Sequence, residues 1–234
     1  MSHRFYCPQL VETGSVTLTE TEAHHVAHVM RCQPDDVVEL FNGQGLVATC
    51  RIASIRKRDV ELEVTGARCD EPPQPVLILA TAVPKGDRFD WLIEKATELG
   101  VSRLIPLTTS RSIVDPRTSK LEKLRQTVVA ACKQSGRNHL MEIASVISWS
   151  DFVRQIVPEH RVLIAHPLGG SLDSADSSSV NDARSRLVAI GPEGGFRDEE
   201  IQMALDAGAR TIHLGRQILR IETAAIAFAA RFLL

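Results

Sequence analysis

The sequence predicts an α/β protein with a mainly parallel sheet and helices on both faces, preceded by a smaller β-rich domain. Two patterns predict it. From residue 76 onward, short continuous apolar runs alternate with helix-period segments, as expected for parallel strands buried on both faces. Before residue 70, short alternating strands separated by turn residues dominate. The stretch "DEPPQP" at 70–75 divides the two, because its three prolines cannot continue a sheet interior. The domains are therefore set at 1–73 and 74–234.

In the first domain, "SVTLT" (15–19), "DVVELFNG" (36–43), "LVATCRIASIR" (46–56) and "DVELEVTG" (59–66) read as strands. "NGQG" at 42–45 is a hairpin signal, since Asn and Gly accept positive φ. One helix is expected around "ETEAHHVAHVMR" (20–31). Together these give a small barrel, a shape that often binds nucleic acid but often does not.

In the second domain, "VLILATA" (76–82) is a buried strand. The helix at 87–100 places Phe89, Leu92, Ile93, Ala96 and Leu99 on one stripe and stops at Gly100. "VSRLIPL" (101–107) is a strand. A helix over 119–134 turns Leu121, Leu124, Val128 and Ala131 inward, with capping-box spacing between Ser119 and Glu122. "RVLIA" (161–165) and "RLVAI" (186–190) are strands joined by a polar loop over 171–185. "DEEIQMALDAG" (198–208) is a helix ending at Gly208, and "TIHLG" (211–215) is another strand. "ETAAIAFAARFLL" (222–234) is a helix apolar almost all round, so it is buried in a core or a subunit interface.

The bulk numbers exclude more than they choose. The chain has 234 residues and a formal net charge of −2, so it does not advertise a polyanion partner as a whole. The charge is uneven. Residues 1–73 carry 7 Lys/Arg against 11 Asp/Glu, and residues 103–137 carry 8 against 2, so a local basic surface is allowed. Five cysteines with no CxxC pair point to reduced thiols. With no apolar signal core and no membrane-length apolar run, a soluble cytoplasmic protein is expected.

Three turns follow buried strands and ask for a function. "AIGPEGGFRDEE" (189–200) spends three glycines on one turn, which lets a ligand come close to the backbone. It is neither GxGxxG nor a P-loop, and the acids at 198–200 discourage a phosphate. A neutral or cationic ligand suits it better, although a tight strand-to-helix turn accounts for the same residues. "LGRQILRIETA" (214–224) offers an apolar slot from Ile218 and Leu219, flanked by Arg220 and Glu222. There Glu222 or Thr223 could simply cap the last helix. "IAHPLGG" (164–170) is the third. Ligands of open α/β sheets sit beyond the carboxyl ends of strands, so three such ends can share one pocket.

"KGDRFDWLIEKATELGV" (85–101), "QSGR" (134–137), "IGPEGGF" (190–196) and "LGRQILRIETA" (214–224), in this order, resemble the ribosomal small-subunit methyltransferase E family. "EAHHVAHVMR" (22–31) resembles that family's N-terminal domain. The resemblance covers nearly the whole chain. It implies a SPOUT-type sheet with a C-terminal trefoil knot, one of the rare exceptions to unknotted folds, behind a PUA-like β-barrel that binds RNA. It implies methylation of N3 of a uridine in 16S rRNA, with S-adenosylmethionine as cofactor, by a homodimer whose final helix is buried at the interface. No metal is implied.

Carried over by motif, the cofactor residues are His166, Pro167, Leu168 and Gly169 in the first loop. Ile190, Gly191, Pro192, Gly194 and Gly195 form the second, and Leu214, Gly215, Ile218 and Leu219 the third. Uridine N3 must lose a proton and the resulting anion must be held in line with the methyl carbon. Arg220 is the catalytic candidate for holding the anion, because an arginine stays charged. Glu193 is the candidate proton acceptor, though holding its own loop by hydrogen bonds is the favoured role for it. Arg31, Lys85, Arg88, Arg111, Lys123 and Arg137 are the RNA-binding candidates, with 16S rRNA or an assembled small subunit as partner.

The chain departs from the family pattern at Ser110 and Ala130, where acids are usual, and at Met141, near which a proline is usual. These departures keep open a non-catalytic RNA-binding or assembly protein on the same fold. A methyltransferase acting on another RNA atom is the other alternative, and the ILRxETA stretch argues against it. His24, His28 and Cys32 share metal-ligand spacing, but no fourth ligand is apparent, so a packed or RNA-facing helix is the favoured reading.

Overall fold

The computed structural model describes residues 3–114, 118–171 and 185–234. It divides into two compact units, Met1–Pro72 with Cys132–Leu140, and Pro73–Ala131 with Met141–Leu234. The side chains of Ser119, Leu121 and Glu122, and the interior of the polar loop after Ser171, lie outside the described residues.

The first unit is a five-stranded sheet in the order β1-β3-β4-β5-β2. The strands are β1 (Arg4–Tyr6), β2 (Gly14–Thr19), β3 (Val37–Phe41), β4 (Leu46–Ile55) and β5 (Asp59–Cys69). Alternation sets their faces: in β4, Val47, Ala48, Cys50 and Ile52 are buried while Thr49, Arg51 and Ala53 are exposed. The Asn42 side chain closes the β3–β4 hairpin by accepting from the backbone of Gln44 and Leu46. The expected helix is present but changes winding, running as α1 (Glu20–His24) and then as a π-helix over His25–Val29. Phe5, Leu40, Ile52 and Leu62 fill the core, and burial pushes the Cys50 thiol up to about 11.

Residues 132–140 are knitted into this unit by polar contacts. Gln44 and His139 form a β-bridge, and Gly45 donates to the Asn138 carbonyl at 3.1 Å. The Asn138 side chain accepts from Arg4 and donates to the Asp70 carboxylate. Lys133 reaches both carboxylate oxygens of Glu22, at 2.9 and 3.0 Å. Asn138 is buried, so Asn138→Ala leaves Arg4 and Asp70 without this partner and is expected to cost about 1–3 kcal/mol in urea unfolding. The Asn138 bond is the main cause holding the Asp70 carboxyl below its usual range. A depressed carboxylate pKa stabilises above the unfolded value and loses that contribution as pH falls through the folded one. The deficit of the variant is therefore expected to shrink in acid.

The second unit carries a parallel sheet in the order β12-β10-β11-β6-β7-β8, with β9 also paired to β7. Its strands are β6 (Val76–Ala82), β7 (Arg103–Thr108), β8 (Glu142–Ile143), β9 (Ile147–Ser148), β10 (Val162–Ser171), β11 (Ser185–Ile190) and β12 (Arg210–His213). The helices are α2 (Arg88–Leu99), α3 (Thr118–Ser135, whose last residues belong to the first unit), α4 (Trp149–Gln155), α5 (Asp198–Asp206) and α6 (Ile221–Leu233). The continuous apolar runs are the central strands: Leu77, Leu79, Leu187 and Val188 are all fully buried. The α2 stripe Phe89, Leu92, Ile93 and Ala96 is buried, and Gly100 stops the helix at φ +99°. Leu124, Val128 and Ala131 of α3 are buried as expected. Met141, one of the departures, is a core residue beneath Thr97, while Ala130 is exposed.

Candidate active site

Parallel pairing of β10 with both β11 and β12 puts three strand ends side by side. The first loop is not a connection after β10 but a bulge within it. Ala165 and Gly170 both register with Ile212, so residues 166–169 are looped out between them. Gly169 is demanded by that geometry, because a Cβ there would lie 2.5 Å from the Ile212 backbone nitrogen. His166 and Pro167 face the cavity described below, whereas Leu168 is 88% exposed.

The glycines of the second loop have three separate reasons. A Cβ on Gly191 would stand 2.9 Å from the ring of Phe196, which is itself buried against Trp149 with ring centroids 4.3 Å apart. A Cβ on Gly194 would meet the Arg111 side chain at 3.3 Å. Gly195 takes φ +69° and closes the turn by donating to the Pro192 carbonyl at 2.8 Å. Packing within the protein thus accounts for residues that the sequence suggested were cleared for a ligand. The turn then enters α5, whose Glu200 accepts from the Arg197 backbone N–H at 2.9 Å, as a capping box does.

The third loop runs from Leu214 to Arg220 and is largely exposed, Ile218 at 86%. Arg220 sits at the N-cap of α6 with extended backbone and an exposed side chain. Glu222 does not cap that helix. Its carboxylate is buried and lies 3.6 Å from Arg88, which also stands 3.4 Å from Glu193. Thr223 is exposed and makes no cap bond either.

These elements line an open cavity of about 340 Å³. All the sequence-derived cofactor residues line it except Leu168 and Gly169, and Glu193 lines it too; Arg220 does not. Among the lining residues that sequence did not single out are Phe196, His213, Ile221, Ala224 and Phe228. Ala224 and Phe228 are one helical turn apart, so one face of α6 forms a wall. The available signal was that the helix is apolar almost all round. Among the described residues Glu193 brings the only carboxylate to the lining, and no Lys or Arg contributes. Apolar walls, backbone amides and carbonyls, and one acid fit a ligand that joins an adenine to a sulfonium cation.

The RNA-binding candidates fall on both units. Arg31 and Arg137 belong to the first unit, Lys85, Arg88, Arg111 and Lys123 to the second. Lys85, Lys123 and Arg31 are exposed. Burial pulls the Arg137 guanidinium below its ordinary pKa. Arg88 and Arg111 are engaged within the protein. His24 and His28 are exposed with ring centroids 4.8 Å apart, while Cys32 is buried. Ser110 meets Glu200 through its backbone N–H, at 2.9 Å, so this departure from the acid leaves that contact intact. Among the described residues no helix is long and apolar enough to cross a membrane.

Comparison with known proteins agrees with this geometry. The family described as RNA methyltransferase domain matches residues 70–233, and the RNA methyltransferase PUA domain matches residues 18–65. The ribosomal RNA small subunit methyltransferase E of Synechocystis is 33% identical over 93% of this chain and 72% of its own length. That of Bacillus subtilis is 31% identical over 92% of this chain and 88% of its own. The solved structure of ribosomal RNA small subunit methyltransferase E from Neisseria gonorrhoeae, bound to S-adenosyl methionine, superposes with a TM-score of 0.88 at 30% identity, over 99% of this chain and 96% of that one. The two family models, the relatives and the solved structure therefore agree, and the protein belongs to the ribosomal RNA small subunit methyltransferase E family.

Proposed function

We propose that this protein transfers a methyl group from S-adenosylmethionine to N3 of one uridine in the 16S rRNA of the small ribosomal subunit. The observation that carries the reading is the cavity at the β10 bulge and the ends of β11 and β12, lined among the described residues by apolar side chains, glycine-rich turns, His166, His213 and the Glu193 carboxylate, with no Lys or Arg. Residues His166, Pro167, Ile190–Gly195, Leu214, Gly215, Ile218 and Leu219 would hold the cofactor, with Leu168 and Gly169 shaping the bulge behind them. When bound, it supplies a methyl group on a positively charged sulfur.

The chain's own residues have the remaining tasks. Arg220, exposed and next in sequence to the lining residues Ile218 and Leu219, is the candidate to hold the uracil once N3 has lost its proton. Glu193, on the cavity wall, is the candidate to receive that proton. The N3–carbon bond then forms as the carbon–sulfur bond breaks, and the uracil ends neutral. Lys85 and Lys123, both exposed, are the candidates for rRNA phosphates on the second unit, and Arg31 and Arg137 on the first. The β-rich domain over 1–73 serves as the RNA-binding domain. The reading includes a cytoplasmic homodimer and a knotted C-terminal chain.

The test is transfer of labelled methyl from S-adenosylmethionine to small subunits taken from cells that lack this modification. Label in 16S rRNA is expected. Cofactor binding without label would instead favour a non-catalytic RNA-binding protein.

A further inference from the structure

Two arginines expected to meet RNA are instead turned onto the Gly191–Gly195 turn. In Arg88, at the start of α2, all three guanidinium nitrogens are engaged. Nε donates to the Lys85 carbonyl at 3.3 Å, Nη2 lies 3.4 Å from Glu193 and Nη1 lies 3.6 Å from Glu222. The Glu222 side chain is only 9% exposed, and its second oxygen has no hydrogen-bond partner among the described residues. Drawing Arg88 away to a phosphate would strand that buried charge, which is strongly unfavourable.

Arg111 approaches from the loop after β7. Its Nη1 donates to the Gly194 carbonyl at 2.6 Å, and its Cδ fills the space that a Cβ on Gly194 would need. The neighbouring Ser110 N–H donates to one oxygen of Glu200, whose other oxygen accepts from Arg197 N–H. The loop at 109–112 is thus fastened to both the turn and the start of α5.

We propose that Arg88 and Arg111 are positioning residues for the cofactor turn rather than phosphate contacts. Glu222 fixes Arg88, Arg88 fixes Glu193, and Arg111 fixes the Gly194 carbonyl. The turn thereby holds its cavity-lining shape before a ligand arrives, which lowers the ordering cost of binding. This rests on the reading that the cavity takes S-adenosylmethionine.

The experiment measures two quantities on the full chain: S-adenosylmethionine affinity by calorimetry, and the slope of log K against log salt for 16S rRNA binding. Arg111→Gln is expected to weaken cofactor binding about tenfold by removing one charge-assisted hydrogen bond, with the salt slope unchanged. Arg88→Gln and Glu222→Gln should each weaken it too, and Arg88→Lys should recover part of the affinity. If Arg88→Gln alone unfolds, the Arg88→Gln/Glu222→Gln pair removes the stranded charge and is measured in its place. Wild-type cofactor affinity in every variant overturns the proposal. So does a salt slope shallower by about 0.7–0.9 per arginine, the mark of lost phosphate contacts. Failure of the wild-type protein to bind the cofactor overturns the functional reading itself.

Discussion

Gly191→Ala is expected to destabilise the protein by about 1–3 kcal/mol and to weaken S-adenosylmethionine binding by roughly tenfold or more. The added methyl would stand 2.9 Å from two carbons of the Phe196 ring. That ring cannot swing aside freely. It is buried, it packs on Trp149 at 4.3 Å, and Trp149 is stacked on Phe152 and tied by its indole N–H to the Glu200 carbonyl. The backbone must therefore move, and it is the backbone that lines the cavity. Thermal unfolding reads the first effect, at roughly 2–4 °C per kcal/mol for a chain of this size. Two comparisons identify the cause. Gly194→Ala meets only the side chain of Arg111, at 3.3 Å, and should cost less stability. Adding Phe196→Leu to Gly191→Ala should recover part of what was lost. An unchanged melting temperature in Gly191→Ala would contradict this packing.

Arg220→Ala is expected to lower kcat by about 10²–10³, the usual consequence of removing a group that stabilises charge in the transition state. Cofactor affinity and stability should hardly change. Arg220 is exposed, does not line the cavity and makes no side-chain cap to α6. Arg220→Lys should recover part of the rate, because the charge stays but the planar fork is lost. Single-turnover methyl transfer, with cofactor binding measured beside it, separates the two effects. A parallel loss of cofactor affinity, or an unchanged kcat, would remove Arg220 from the chemistry.

What was legible in the sequence follows from how local each cause is. The run 76–82 reads as a buried strand because both its faces are covered, and α2 reads to its end because Gly100 takes the left-handed conformation its stop requires. The three turns at the cavity stand out because their residue types and order carry a family pattern. Long-range contacts are a different matter. Nothing in "QSGRNHL" announces that Asn138 bonds Arg4 and Asp70, which are 134 and 68 residues away. The bulge in β10 depends on Gly169 passing close to Ile212, and its own strand gives no sign of that approach. Sequence tells that Arg88 and Arg111 are charged, not what satisfies the charge. Glu193, Glu222 and the Gly194 carbonyl take that role. The apolar face of α6 was read as core or interface, and part of it proves to be cavity wall.

Reverse transcription across 16S rRNA, after incubation of unmethylated small subunits with this protein and S-adenosylmethionine, is the most direct measurement. Methylation at N3 blocks Watson–Crick pairing, so one new stop at a single uridine is predicted, absent without cofactor and strongly reduced with Arg220→Ala. Methyl label incorporated without any stop would place the chemistry on another atom and contradict the assignment to uridine N3.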